Sequence, residues 1–184
     1  MTEIEEREVI KLHRDSRRGT KEAQKAFGRR IKEANKAFRN YIKLPGKRDV
    51  GDTTLHDFFN DRMLVVHTIH RGIPYTLFQL IKEFTPFSDK DWAEFLNLSV
   101  KSLQRYKAEK AYHFKPIHSE KIIELTEVTL AGMEVFDSSE QFYLWLNTPS
   151  FALGNMKPIE LLKDSYGKEM VLSELNRIDQ GIFV

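Results

Sequence analysis

The chain has 184 residues, enough for one or two small domains with cores of their own. It contains no cysteine, which excludes disulfides, thiolate zinc sites and a cysteine nucleophile and fits a reducing compartment. No apolar run approaches the roughly 18 residues of a membrane span, and the acidic start MTEIEERE lacks a signal peptide's basic flank, so a cytoplasmic protein without membrane contact is expected. The net charge of +2 conceals an asymmetry: residues 1–50 carry 15 Lys/Arg against 8 Asp/Glu, and residues 51–184 carry 14 against 19. A basic segment of this kind is either an electrostatic footprint for nucleic acid or a solvated helix face.

From Glu3 to about Leu44 there is no proline, and Ala23, Ala26, Phe27, Ile31, Ala34, Phe38 and Ile42 recur at three- and four-residue steps, predicting one or two amphipathic helices. LPGKRDVGD (Leu44 to Asp52) breaks the pattern, and TTLHDFFNDRMLVVHTIHRG predicts a further helix ending near Gly72. GIPYTLFQLIKEF places Pro74 near the next helix start. Short helical patterns follow, separated by Ser, Asn, Pro and Gly, with YHFKPI (Tyr112 to Ile117) extended or irregular. Strand alternation persists nowhere, so the fold class is all-α.

The stretch SDKDWAEFLNLSVKSLQRYK (Ser88 to Lys107) has a finer pattern. Ser88 with Asp91 makes a capping box, after which Trp92, Phe95 and Leu96 form an apolar face. Ala93 is small where a crossing helix must approach, and Asn97 suits the left-handed conformation that ends a helix. Leu98 packs the turn, and Ser99 caps a second helix with Val100, Leu103 and Tyr106 facing the core. Ala93, Asn97 and Leu103 fill the helix-turn-helix spacing of small residue, turn residue and aliphatic, with Asn97 replacing the commoner Gly. The second helix would read DNA through Ser99, Lys101, Ser102, Gln104, Arg105 and Lys107. Gln104 suits adenine, Arg105 suits guanine, and the lysines suit phosphates. The alternative is a plain helical hairpin whose charged face meets water.

From Ser138 the sequence runs SSEQFYLWLNTPSFALGNMKPIELLKDSYGKEMVLSELNRIDQGIFV. Ser138 and Gln141 suggest another capping box, with Phe142, Trp145 and Leu146 on one face of a short helix that stops at Thr148-Pro149. A loop holds Ala152, Leu153 and Gly154; Pro158 opens a second helix with Ile159, Leu161 and Leu162. Gly167 is expected to reset the chain before a last helix with Val171, Leu175 and Ile178 inside, Arg177 off that stripe and Gly181 at its end.

The order Phe142, Trp145-Leu146, Asn147-Thr148-Pro149, Ala152-Leu153-Gly154, Lys157-Pro158, Leu161-Leu162, Gly167, Val171, Leu175, Arg177-Ile178 and Gly181 is similar to the toxin-binding domain of the Xre/MbcA/ParS antitoxins, exemplified by RES-Xre toxin-antitoxin systems. Residues 72–137 resemble the Xre-type helix-turn-helix half of the same proteins, while the basic N-terminal region has no counterpart in the family core. Asn155 departs from a second Gly common in the family, and Asn tolerates similar backbone angles.

The resemblance implies three parts: a basic helical N-terminal region (1–71), an Xre-like helix-turn-helix domain (72–137) and a small helical toxin-binding domain (138–184). It implies a non-catalytic antitoxin without cofactor, whose partners are a cognate RES-type toxin that consumes NAD or transfers ADP-ribose, and operator double-stranded DNA bound as a homodimer to repress its own operon. The toxin contact would draw on Trp145, the loop Leu153 to Pro158 including Lys157, and Arg177 to Val184 including Gly181 and Phe183. Trp145 reads first as a core anchor, and Lys157 and Arg177 as better partner contacts. The alternative is a stand-alone helix-turn-helix regulator without a toxin. A third reading, catalysis by His67, His70, His113 or His118, has no supporting ligand or nucleophile spacing, and no phosphate-binding loop or nucleophile elbow occurs.

Overall fold

A computed structural model describes residues 21–42, 54–109 and 111–182, so Phe183 lies outside the described residues. These residues form helices and no strands. The described residues divide into two compact units, one built from residues 26–84 and 88–123, the other from residues 21–25, 85–87 and 124–182.

The first unit opens at Ala26 within α1 (Lys21–Ile42), whose Ala34 and Phe38 are buried. The Phe38 ring meets Phe58 edge-on at 4.3 Å, and Asn35 Oδ1 accepts the Leu55 backbone N–H at 2.9 Å. That bond satisfies one of the donors a helix start leaves open, here the start of α2 (Leu55–Asn60), which Thr54 and Asp57 also close with a reciprocal capping box. Where the periodicity predicts one helix up to Gly72, Asp61 splits it. Its backbone N–H closes α2 on the Phe58 carbonyl, and its side chain accepts from Leu64 N to start α3 (Arg62–Arg71). A short carboxylate that competes with the backbone for N–H groups favours such a junction over a helix interior.

After α3 the chain pairs briefly with the segment before α7 (Pro116–Val135), through Phe114 N to the Ile73 carbonyl at 2.8 Å and Tyr75 N to the Tyr112 carbonyl at 2.9 Å. The buried Ser119 hydroxyl clips the two segments, accepting from Ile73 N and donating to the Phe114 carbonyl. The expected irregularity of Tyr112 to Ile117 therefore ends at Pro116, the first residue of α7, a position where a missing N–H costs nothing. Between these segments lie α4 (Tyr75–Phe84), α5 (Asp89–Phe95) and α6 (Val100–Ala108). Their core is aromatic: Phe78 meets Trp92 edge-on at 5.0 Å and Phe114 at 4.9 Å. The Lys82 ammonium pairs with Asp89, joining α4 to the start of α5.

The second unit takes the later turns of α7, then α8 (Ser139–Leu146), a single 3₁₀ turn (Phe151–Leu153), α9 (Pro158–Leu161) and α10 (Ser165–Asp179). Phe136, Phe142 and Trp145 stack within 5.6–6.1 Å of one another. Gly132 on α7 admits the Phe142 ring, since a Cβ there would sit 2.3 Å from its Cζ. Val171, Leu175 and Ile178 are buried as their spacing predicts. Gly167 does not reset the chain: it lies inside α10, its N–H bound to the capping Asp164 carboxylate at 2.8 Å. Its lack of a side chain is required by packing, because a Cβ would lie 2.0 Å from the Leu161 carbonyl oxygen.

Candidate functional site

The hairpin α5–α6 is held by backbone geometry at its turn. Asn97 adopts φ +51°, its N–H bonds the Glu94 carbonyl at 3.1 Å, and Leu98 N–H bonds the Ala93 carbonyl at 2.8 Å. These are the two bonds of a Schellman motif around one left-handed residue, a conformation Asn reaches at lower cost than other side-chain-bearing residues. The Ser88–Asp91 capping box forms as the sequence predicts, and Trp92, Ala93, Phe95 and Leu96 are all buried.

The turn sets α6 with Leu103 buried and Tyr106 half-buried. Val100, expected in the core, lies at the surface. It is the first residue of α6, and a helical side chain leans toward the N-terminus, so it projects ahead of the packed crossing. Lys101, Gln104, Arg105 and Lys107 are exposed on the remaining face. The exposed Ser99 and half-buried Ser102 are occupied locally: Ser99 Oγ accepts Ser102 N–H at 3.0 Å and lies 2.9 Å from Ser102 Oγ. Their hydroxyls build the helix start, which leaves the long side chains as the groups that extend outward.

Aromatic stacking stiffens the far end of α6. The Tyr106 ring stacks on Tyr112 at 3.7 Å and 11°, Tyr112 meets Phe114 edge-on at 5.2 Å, and the Arg105 guanidinium stands 5.4 Å over Tyr106. Burial, then a hydrogen bond to Tyr106, pushes the Tyr112 phenol far above its ordinary range; the same bond lowers that of Tyr106.

The four histidines do not gather. His67 and His70 are exposed on α3, His113 sets Nδ1 3.0 Å from the Ala111 carbonyl, and half-buried His118 lies edge-on to Phe114. Among the described residues no three His, Asp or Glu side chains form a metal-binding group, and no helix is long and apolar enough to cross a membrane.

In the second unit the structure separates the candidate contact residues. Trp145, Leu153 and Pro158 are buried, whereas Lys157 and Gly181 are exposed. Half-buried Arg177 donates from Nη1 to Glu174 Oε2 at 3.3 Å, and Glu174 is itself buried. Arg177 thus compensates a carboxylate in the unit's own interior. The loop between α8 and α9 closes through Ser150 N to the Met156 carbonyl at 3.0 Å, with Gly154 at φ +69° and Asn155 at φ +61°. Asn155 therefore adopts the backbone conformation that the second Gly of the family pattern would supply.

Sequence reasoning missed Tyr166 and Met170 among the apolar residues that this unit leaves exposed: Tyr166 is 85% exposed on α10, and Met170 lies one turn further along the same face. Phe151 is exposed as well, and the exposed Met156 and Ile182 fall inside the expected contact segments Leu153 to Pro158 and Arg177 to Val184. At helical spacing Tyr166, Met170, Ser173 and Arg177 form one line, opposite the buried Val171–Leu175–Ile178 stripe. The signal available in the sequence is this four-residue step of large apolar residues off the core stripe. The helix then ends in a second complete Schellman motif, with Gly181 at φ +75°, Gly181 N–H on the Ile178 carbonyl at 3.0 Å and Ile182 N–H on the Arg177 carbonyl at 2.9 Å. That cap fixes the direction in which Ile182 leaves the helix.

Residues 65–126 match the family model described as the antitoxin Xre-like helix-turn-helix domain. Residues 131–181 match the model described as the antitoxin Xre/MbcA/ParS C-terminal toxin-binding domain. Both describe parts of antitoxins, and their tandem occurrence supports the antitoxin family for this chain. No curated protein matches the chain.

Proposed function

We propose that this chain is the antitoxin of a type II toxin-antitoxin pair, that its second unit covers the active site of a RES-type toxin which consumes NAD or transfers ADP-ribose, and that its first unit represses the shared operon. The observation that carries this reading is the tandem of the two antitoxin domain matches in one chain. The chain acts by binding alone and needs no cofactor. A homodimer would present two copies of α6 to a palindromic operator, Gln104 and Arg105 reading bases and Lys101 and Lys107 holding phosphates.

For the toxin we assign a contact face made of Tyr166, Met170 and Arg177 on α10, followed by Gly181 and Ile182, with Lys157 at the start of α9. A large, rigid aromatic beside an adaptable methionine and an arginine is the composition that dominates interface energetics. Trp145, Leu153 and Pro158 support this face from inside. Ile178 is buried, so a truncation that reaches back to residue 177 would remove part of the core together with the contact.

The test is co-expression with the product of the adjacent reading frame, followed by purification of any complex and measurement of cellular NAD. The expected result is a stable complex, preserved NAD, and loss of both in a Tyr166→Glu/Met170→Glu variant that keeps its helical melt. A complex that leaves NAD unaffected by the toxin alone would replace the RES assignment with another toxin chemistry. Absence of any complex would leave a stand-alone DNA-binding regulator as the better account.

A further inference from the structure

We infer that α1 carries a second nucleic-acid surface, a line of cations formed by Arg29, Lys32 and Lys36 that binds the phosphate backbone of duplex DNA and belongs to the same compact unit as α6. The inference rests on the reading of the first unit as DNA-binding, and it concerns a helix that lies before residue 65, where the helix-turn-helix match begins.

Two observations on α1 support it. First, from Ala26 on the helix is a fixed part of the unit that contains α5 and α6. Besides the Phe38–Phe58 contact, Arg30 Nη1 donates to the Glu83 carbonyl at 3.0 Å, Tyr41 donates to the Gly72 carbonyl at 2.5 Å, and Arg71 Nη1 donates to the Tyr41 carbonyl at 2.7 Å. The Arg71 guanidinium also covers the Tyr41 ring at 4.6 Å. A charge placed on this helix is therefore held in register with the hairpin, unlike one on a tethered arm.

Second, the face turned away from these contacts carries a line of cations from Arg29 to Lys36. Arg29, Lys32 and Lys36 are exposed and follow one another at steps of three and four, which aligns them on the side opposite Ala34 and Phe38. Like charges at these steps repel. Glu33 is exposed beside them, and no ion pair joins it to Arg29 among the described residues. Over the whole helix seven Lys/Arg face two Asp/Glu. At about 1.5 Å of rise per residue, Arg29 to Lys36 spans roughly 10 Å, the axial length occupied by about three phosphates of one DNA strand. A straight row of cations matches a regular row of phosphates more closely than the mixed charges of a protein surface.

The test is the salt dependence of binding by the 184-residue chain to two labelled duplexes of equal length, the region upstream of its own gene and a scrambled sequence. The Arg29→Gln/Lys32→Gln/Lys36→Gln variant is expected to weaken both duplexes by the same factor and to flatten the log–log salt slope by about 2.7, roughly 0.9 for each phosphate no longer neutralised. A Glu33→Gln variant, which removes the neighbouring negative charge, is expected to tighten both, and it keeps the test informative if the triple variant melts early. A Gln104→Ala/Arg105→Ala variant should instead erase the preference between the duplexes. Unchanged slope and affinity in the triple variant, with binding otherwise intact, would overturn the inference while leaving the DNA reading in place. The same holds if the triple variant weakens only the complex with the toxin. Failure of the unsubstituted chain to bind either duplex would overturn both.

Discussion

One substitution, glycine to alanine, is expected to change sign between two helices of this chain. At Gly28 in α1 an added Cβ meets nothing within 4 Å, so Ala contributes its helix preference of about 0.8–1 kcal/mol. At Gly167 in α10 the same carbon lies 2.0 Å from the Leu161 carbonyl oxygen and 2.7 Å from its carbonyl carbon. An ordinary contact needs more than an ångström beyond that, and the obstacle is backbone that no rotamer change can move. Overpacking of this kind costs about 1–3 kcal/mol, and with a backbone obstacle the upper half of that range applies. Subtracting the same helix gain leaves a net loss of roughly 1–2 kcal/mol. For a chain of this size 1 kcal/mol corresponds to about 2–4 °C in the midpoint, so Gly167→Ala should melt roughly 2–8 °C early and Gly28→Ala up to about 4 °C late. Circular dichroism at the helical minimum reads both. If the two units unfold separately, each shift belongs to the transition of its own unit. A Gly167→Ala protein as stable as its parent would refute the close approach of α10 to the end of α9. An early melt of Gly28→Ala would refute the open surroundings of α1.

Substitutions in three other places probe the turn, the buried charge and the half-buried histidine. Asn97→Gly should hold or raise stability, whereas Asn97→Ala should cost about 1 kcal/mol because only the latter forces a less tolerant side chain into the left-handed region; equal melts would refute the Schellman geometry of the turn. Arg177→Met should destabilise the second unit by about 1–2 kcal/mol, since it weakens the compensation of buried Glu174 at a half-exposed site. Adding Glu174→Gln should recover most of that stability without recovering toxin capture, and thermal melts paired with pull-downs separate the two effects. For His118, burial first and the neighbouring Lys115 charge second hold the imidazole below its ordinary 6.5. The unfolded chain therefore takes up a proton that the folded chain resists as the pH falls below about 6.5, and stability declines in that direction. His118→Phe should remove this decline, so the melting difference between variant and parent should widen from about pH 7.5 to about pH 5.5; a pH-independent difference would refute the assignment.

The parts of the fold legible in the sequence are those encoded within a few residues. Ser88 with Asp91, Asn97, Ser99 and Gly181 each act on backbone groups no more than five positions away, and each performs the predicted role. The all-α class follows from the same local signals. What escaped the sequence depends on distant neighbours. Asp61 reads as an ordinary polar residue in an amphipathic run until both adjoining helices claim it as a cap. Gly167 reads as a helix breaker because its sequence does not reveal that Leu161 presses its carbonyl against that point. Gly132 lies in a helix that Gly should weaken, for the sake of a phenyl ring ten residues later.

The candidate sites show the same division in a sharper form. The outward residues of α6 were legible because a capped turn and one buried leucine fix which way a short helix faces. In the second unit the family pattern emphasises residues such as Trp145, Leu153 and Pro158, and these are buried: a pattern kept by folding need not mark what touches a partner. Surface function is better sought where a helix breaks its own amphipathic rule, and Tyr166 and Met170 do so on a face that solvation alone would fill with polar groups. The cationic line of α1 breaks the rule in another way, by placing like charges where alternating ones would stabilise the helix. Both departures oppose isolated stability, and both are relieved if something lies against the face: an apolar cleft for the first, a phosphate backbone for the second.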